Sequence, residues 1–229
     1  VGSVADMGAG DGAALASGPA WEGWVEPPAY TSKPALYLND QTGEIRAPQG
    51  SRVIVRLYGE PGALSLSETV SGRPVEPDAE TASAPSQEFD ISQSGTLRID
   101  GPNGAEWPVV MAPDTAPDIA IDGETDVTAR GELTLDYTAR DDYGVVAGEA
   151  RIALDLDAVD RRYGLAPAPE PREPLTVPLP LPISGDRAEF TETLIEDFSK
   201  HPWANLPVEI TLTATDAADQ TGTSAPQTL

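Results

Sequence analysis

At four places along the chain an apolar side chain recurs at every second position. RVIVRLYG (52–59) sets Val53, Val55 and Leu57 against Arg52, Ile54, Arg56 and Tyr58. LTLDYTA (133–139) sets Leu133, Leu135, Tyr137 and Ala139 against polar residues. Ile152, Leu154 and Leu156 alternate with Arg151, Ala153, Asp155 and Asp157, and Val208, Ile210, Leu212 and Ala214 alternate with Glu209, Thr211, Thr213 and Thr215. A helix would scatter these side chains round its circumference. A strand gathers them on one face, so period two implies sheets with one face in a core.

Turn formers punctuate the runs. Pro (23) and Gly (21) are abundant, yet the apolar runs persist between them, which points to an all-β chain with many turns and not to disorder. With 229 residues the expected architecture is two tandem Ig-like or fibronectin-like β-sandwiches. Residues 1–20, rich in Gly and Ala, read as a flexible leader. A first sandwich is expected over 21–114 and a second over 115–229, with APDTAP (112–117) as the hinge. TLRIDGPNGAEWPVVM (96–111) reads as a hairpin turning at Gly101–Gly104, whereas Ser65–Val70 and Phe89–Ile91 read as weaker strands and 71–87 as a polar loop. Asp118–Ile121 is expected to be a short first strand of the second half, and Glu196–Lys200 one helical turn. Within 115–229, the stretch 166–182 carries seven prolines. A central strand cannot lose that many N–H donors, so it reads as an edge segment pressed on the core through Leu175, Val177, Leu179 and Leu181.

Thirty-eight Asp and Glu oppose 14 Lys and Arg, for a net charge of −24. That field repels phosphates, so nucleic acid is excluded as a partner. With no Cys, disulfides, thiolate metal sites and a Cys nucleophile are excluded. No apolar run is long enough to span a membrane. With no initiator Met or signal-peptide pattern, the chain reads as the excised soluble part of something longer.

Candidate chemistry is sparse. The single His, His201, precedes a Pro and lacks a nucleophile elbow nearby, so HPW reads as a structural plug at a sandwich end and no catalytic residue is assigned. Asp155, Asp157 and Asp160 space as D-x-D-x-x-D but put Val159 where a calcium loop of the EF-hand type wants an oxygen ligand, and they read as the solvent face of a strand. Asp141 and Asp142 end one strand while Asp216 and Asp219 end another. If the two ends meet at one pole, these four are the candidate calcium ligands, calcium being the only cofactor the residue types admit. Otherwise they cap their own turns. Trp21, Trp24 and Trp107 are a candidate sugar-stacking platform, set against a reading as core residues.

Three stretches carry a resemblance. WVEPPAYTSKPALYL (24–38), ARDDYGV (139–145) and DFSKHPWANLPVEITLTATDAADQTGTS (197–224) resemble, in order, motifs of an alphaproteobacterial membrane-anchored family of unknown function, marked by W-x-x-P-P-A-Y-T, D-D-Y-G-V and H-P-W-A. Asn205 and Asp219 depart from it, each standing at a turn position where the family favours Gly. The resemblance implies membrane helices before this region, a periplasmic Ig-like part, and a low-complexity tail. It supplies no catalytic residues to carry over.

The functional expectation is therefore non-catalytic: a periplasmic interaction or spacer module of a membrane-anchored cell-envelope protein, with an envelope protein as partner and unblunted edge strands as contact surface. The alternatives are a glycan or peptidoglycan-binding module and a calcium-dependent adhesion module.

Overall fold

A computed structural model describes residues 19–73, 79–158, 172–204 and 206–229 of the chain. The leader up to residue 18, residues 166–171 of the Pro-rich stretch, Asp160 and Asn205 lie outside the described residues. The chain divides into two compact units, Val1–Pro113 and Asp114–Leu229. Each is a β-sandwich.

The first unit holds β1 (Ala20–Glu26), β2 (Leu36–Tyr37), β3 (Ile45–Pro48), β4 (Arg52–Tyr58), β5 (Ser65–Glu68), β6 (Ser86–Asp90), β7 (Gly95–Asp100) and β8 (Ala105–Ala112). One sheet runs in the order β2-β1-β4-β6, the other β3-β8-β7-β5. β1 pairs antiparallel with β4, and β3 then joins the opposite sheet parallel to the last strand, β8. A leading segment that lies first on one sheet and then, parallel, on the other gives this sandwich its Ig-like character. The alternation of β4 is realised as read: Val53, Val55 and Leu57 are buried, whereas Arg52, Arg56 and Tyr58 are exposed. Trp21 and Trp107 meet edge to face at 5.5 Å inside this core. Their indole N–H groups donate to the carbonyls of Asn103 (2.7 Å) and Gln41 (3.0 Å), as a buried indole requires.

The second unit holds β9 (Asp118–Val127), β10 (Glu132–Arg140), β11 (Val145–Leu154), β12 (Leu175–Pro178), β13 (Glu189–Asp197), β14 (Val208–Asp216), β15 (Thr221–Thr223) and β16 (Gln227–Thr228). The sheet β13-β10-β9 faces β12-β11-β14-β15, with β16 also on β14. Three strands thus face five, in a fibronectin-like sandwich. Leu135, Tyr137, Ala150, Ile210, Leu212 and Ala214 fill the space between the sheets. Proline-bearing β12 sits at a sheet edge beside β11; Leu179 just beyond it is buried, and Leu175, Val177 and Leu181 pack on the core. Tyr137 reaches the same segment with its hydroxyl, which donates to the Pro180 carbonyl.

Several boundaries differ from the sequence expectation. β9 continues six residues past Ile121 because its partner β10 offers a ladder as far as Leu133, broken by an irregularity between Thr134 and Asp136. Glu196 and Asp197 do not open a helical turn; they finish β13, held opposite Leu133 and Glu132. β5 ends at Glu68, two residues early, since Glu68 Oε2 accepts the N–H groups of Val70 (2.7 Å) and Ser71 (2.9 Å) and turns the chain away.

Two substitutions probe this architecture. Leu212 is fully buried, so Leu212→Ala is expected to destabilise by about 2–5 kcal/mol in denaturant unfolding. A Cβ at Gly222 would lie 1.7 Å from the Pro117 carbonyl oxygen, a backbone atom. Gly222→Ala is therefore expected to destabilise by more than the few tenths usual for a surface change, and a melting temperature equal to wild type would show that β15 does not lie against the start of β9.

Candidate functional site

Two places gather chemistry-bearing side chains, one in each unit. In the first unit they lie on the outward face of β2-β1-β4-β6. Period two sends Trp21 and Val25 inward and Glu22 and Trp24 outward. Register then brings Trp24 opposite both Tyr37 and Ile54, and Glu22 opposite Arg56. The rings of Trp24 and Tyr37 stand 5.5 Å apart, and the Arg56 guanidinium lies 5.6 Å from the Trp24 ring centroid. The Tyr58 hydroxyl donates to Glu22 Oε2 at 2.9 Å. Burial pushes the Tyr37 hydroxyl above its ordinary pKa, with Glu22, Asp40 and Tyr58 acting the same way. The result is a half-buried aromatic and cationic patch. Of the three tryptophans read as a sugar platform, Trp21 and Trp107 are core and only Trp24 reaches this surface. Tyr37, Arg56 and Tyr58 were not singled out in the sequence. The alternation of β4 places Arg56 and Tyr58 outward, but nothing local reveals that Tyr37 arrives beside Trp24.

In the second unit the DDYG corner carries the chain from β10 in one sheet to β11 in the other. The Asp141 N–H donates to the Ala188 carbonyl (2.8 Å) and the Val145 N–H to that of Arg187 (3.1 Å). Asp141 Oδ2 accepts the N–H groups of Tyr143 (2.9 Å) and Gly144 (2.6 Å), and Gly144 takes φ +100°, open to Gly at no steric cost. At the end of β14, Asp216 does the same for its hairpin: Oδ1 accepts the N–H groups of Ala218 (2.9 Å) and Gln220 (2.7 Å). Asp219 sits in that turn at φ +62°, the left-handed conformation for which a Gly is the easier residue. The two corners meet at one pole, because Val145 pairs with Asp216 across β11 and β14.

The four acidic residues part company here. Asp141 is 8% exposed and Asp216 2%, whereas Asp142 and Asp219 face solvent. Asp142 Oδ1 accepts a hydrogen bond from Thr115 Oγ1 at 3.0 Å. Burial raises the Asp141 carboxyl above the usual carboxylate range; the Tyr143 and Gly144 N–H groups pull it down, and the charges of Asp142 and Asp216 push it up again. Among the described residues no three His, Cys, Asp or Glu side chains form a metal-holding group. Asp155 lies past the end of β11 and is not on a strand face. Its Oδ1 caps a turn by accepting from Asp157 and Ala158, both at 3.1 Å.

His201 lies at the other end of this sandwich. Its Nδ1 accepts the Trp203 N–H at 3.2 Å, and its ring meets Trp203 and Phe198 edge to face. It lines a cavity of about 340 Å³ with Leu133, Ile152, Phe198, Trp203 and Leu229, a lining that is predominantly apolar among the described residues.

The raised Asp141 carboxyl fixes the sign of a pH effect. The contribution of such a group is fully present below its unfolded value and is lost as pH rises through its folded value. In chelator, wild type is expected to lose stability on that rise, and Asp141→Asn to lose less. Parallel stability–pH curves for the two proteins in denaturant unfolding would refute the assignment.

Solved structures resemble the chain only distantly. A region of a 1.5-MDa bacterial ice-binding adhesin matches at 8% identity and TM-score 0.39, over 79% of this chain and 56% of that one. Fibronectin(III)-like modules of CbhA from Clostridium thermocellum match at 15% identity and TM-score 0.26, over 83% of this chain and 89% of theirs. The N-terminal eight Ig domains of Down Syndrome Cell Adhesion Molecule match at 14% identity and TM-score 0.30, over 82% and 26%. The chain thus spans about half the length of the adhesin region and a quarter of the Ig array. No curated protein matches. The model of a domain of unknown function, DUF4175, matches residues 1–229, and the chain belongs to that family.

Proposed function

We propose that this chain is a non-catalytic interaction module of a membrane-anchored cell-envelope protein, exposed in the periplasm of an alphaproteobacterium, and that it meets an envelope protein through the outward face of β2-β1-β4-β6. The observation that carries the reading is the Trp24–Tyr37–Arg56–Tyr58 patch. Trp, Tyr and Arg are the residues that dominate binding energy at protein interfaces, and here the Trp24–Tyr37 and Arg56–Trp24 contacts and the Tyr58–Glu22 hydrogen bond already hold them in place. Edges are a poorer contact surface. β2 and β15 are two and three residues long, β12 carries a proline, and the long edge strands β9 and β13 bear Asp118, Asp122, Glu124 and Asp126, and Glu189, Glu192, Glu196 and Asp197. The DDYGV and HPWA motifs support the envelope setting, since they resemble the membrane-anchored family.

A glycan reading rests on the same patch, because Trp24 and Tyr37 offer stacking surface. The two readings separate experimentally. Trp24→Ala and Arg56→Ala are expected to weaken a partner crosslinked from envelope extracts by more than tenfold each, the loss typical of a hot-spot residue. A partner retained at wild-type affinity by both variants would move the contact elsewhere. Loss of no partner, joined to a Trp24-dependent fluorescence change with soluble peptidoglycan fragments, would favour the glycan reading instead.

A further inference from the structure

We propose that Asp141 and Asp216 jointly hold a calcium ion at the pole of the second sandwich, tying the β10–β11 corner to the β14–β15 turn. The reading is independent of the patch on the first unit. Each carboxylate engages one oxygen with two backbone N–H groups. The other oxygen of each, Asp141 Oδ1 and Asp216 Oδ2, is buried and has no hydrogen-bond partner among the described residues. Buried polar atoms are nearly always satisfied, and an orphaned one calls for an unseen water or ion. Here two orphans come from two strands whose ends meet through the Val145–Asp216 pair. Asp216 is near enough for its charge to act on Asp141.

Among the described residues no cationic side chain forms an ion pair with either carboxylate. The pairs Arg46–Glu44, Arg52–Glu88, Arg98–Asp100 and Arg140–Glu189 lie on the surface and involve neither Asp141 nor Asp216. Arg187, whose backbone flanks Gly144, points its Nε to the Pro182 carbonyl at 3.1 Å. Two unpaired carboxylates out of water are expensive, and one cation between them removes both penalties together.

Oxygen-only donors select a hard cation. Calcium fits better than magnesium, because magnesium gives up its waters reluctantly whereas calcium accepts carboxylates, backbone carbonyls and a few waters in flexible geometry. With two carboxylates and no third acidic or imidazole side chain converging among the described residues, binding is expected to be weak, on the order of 0.1–1 mM, as in extracellular modules.

The test uses the whole chain and calcium chloride alone as probe. At tens of millimolar CaCl2, against NaCl of equal ionic strength, the wild-type melting temperature is expected to rise by several degrees. Asp141→Asn and Asp216→Asn are expected to lose that rise. Should the variants fail to fold, the wild-type amide resonances of Tyr143, Gly144, Ala218 and Gln220 are expected to shift saturably on titration. Four results overturn the proposal: a wild-type melting temperature indifferent to calcium; an equal rise with MgCl2, which marks screening of the −24 charge; a rise undiminished in both variants; or shifts spread over the acidic surface. A calcium-indifferent wild type with a more stable Asn variant would assign the pair to a shared proton.

Discussion

The pairing of β11 with β14 governs the second sandwich. It runs from Val145–Asp216 to Leu154–Val208 and sets Ala150 opposite Leu212 and Ile152 opposite Ile210, the residues that fill its core. A shift by one residue would turn this whole set to solvent. The ladder is interrupted once, between Val145 and Ala147. That irregularity lets Val145 share the buried face with Ala150 and Ile152, with which a regular strand would put it out of phase, while Val146 is 48% exposed. An extra residue at this place re-aims the strand end, as bulges do. It is what brings the DDYG corner over the start of the neighbouring hairpin.

The acidity of the chain is partly structural. At Glu68, Asp141, Asp155 and Asp216 one carboxylate oxygen accepts two successive or near-successive backbone N–H groups where a strand ends. Short acidic side chains are suited to this, since they offer an acceptor to N–H groups that the ladder has just released. Glu68 and Asp155 are partly exposed and can keep the rest of their hydration. Asp141 and Asp216 cannot. The same local job in a buried place leaves an oxygen over, and that difference, not acidity as such, singles out the pole.

The alternation in four short runs made the strands legible, because period two is a local property. The two inner faces named from Val53–Leu57 and Leu133–Ala139 are those that are buried. Strand ends were less legible, since they depend on partners far along the chain: β9 runs on to Val127 because β10 lies beside it, and β13 keeps Glu196 and Asp197 because Leu133 and Glu132 pair with them. At the pole, the sequence named four aspartates without separating them. Neighbouring Asp141 and Asp142 look equivalent in a string of letters, yet the turn aims one at its own backbone and leaves the other at Thr115. On the first unit, Trp24 was visible as a candidate, but Tyr37 and Arg56 join it only through cross-strand register.

An isolated sandwich can present a partner with an edge, a pole of loops or a sheet face. In this chain short or acidic strands close the edges, and the described loops at the second unit's pole are held by their own carboxylates. The outer face of β2-β1-β4-β6 differs from both. Its side chains are anchored to each other through Trp24–Tyr37, Arg56–Trp24 and Tyr58–Glu22, yet keep part of their surface toward water. Rigid aromatic side chains lose little conformational entropy on binding, so a patch already fixed in this way needs less ordering at contact. The preorganisation has a sequence origin: alternation puts Glu22, Trp24, Arg56 and Tyr58 outward, and antiparallel register brings Tyr37 beside Trp24.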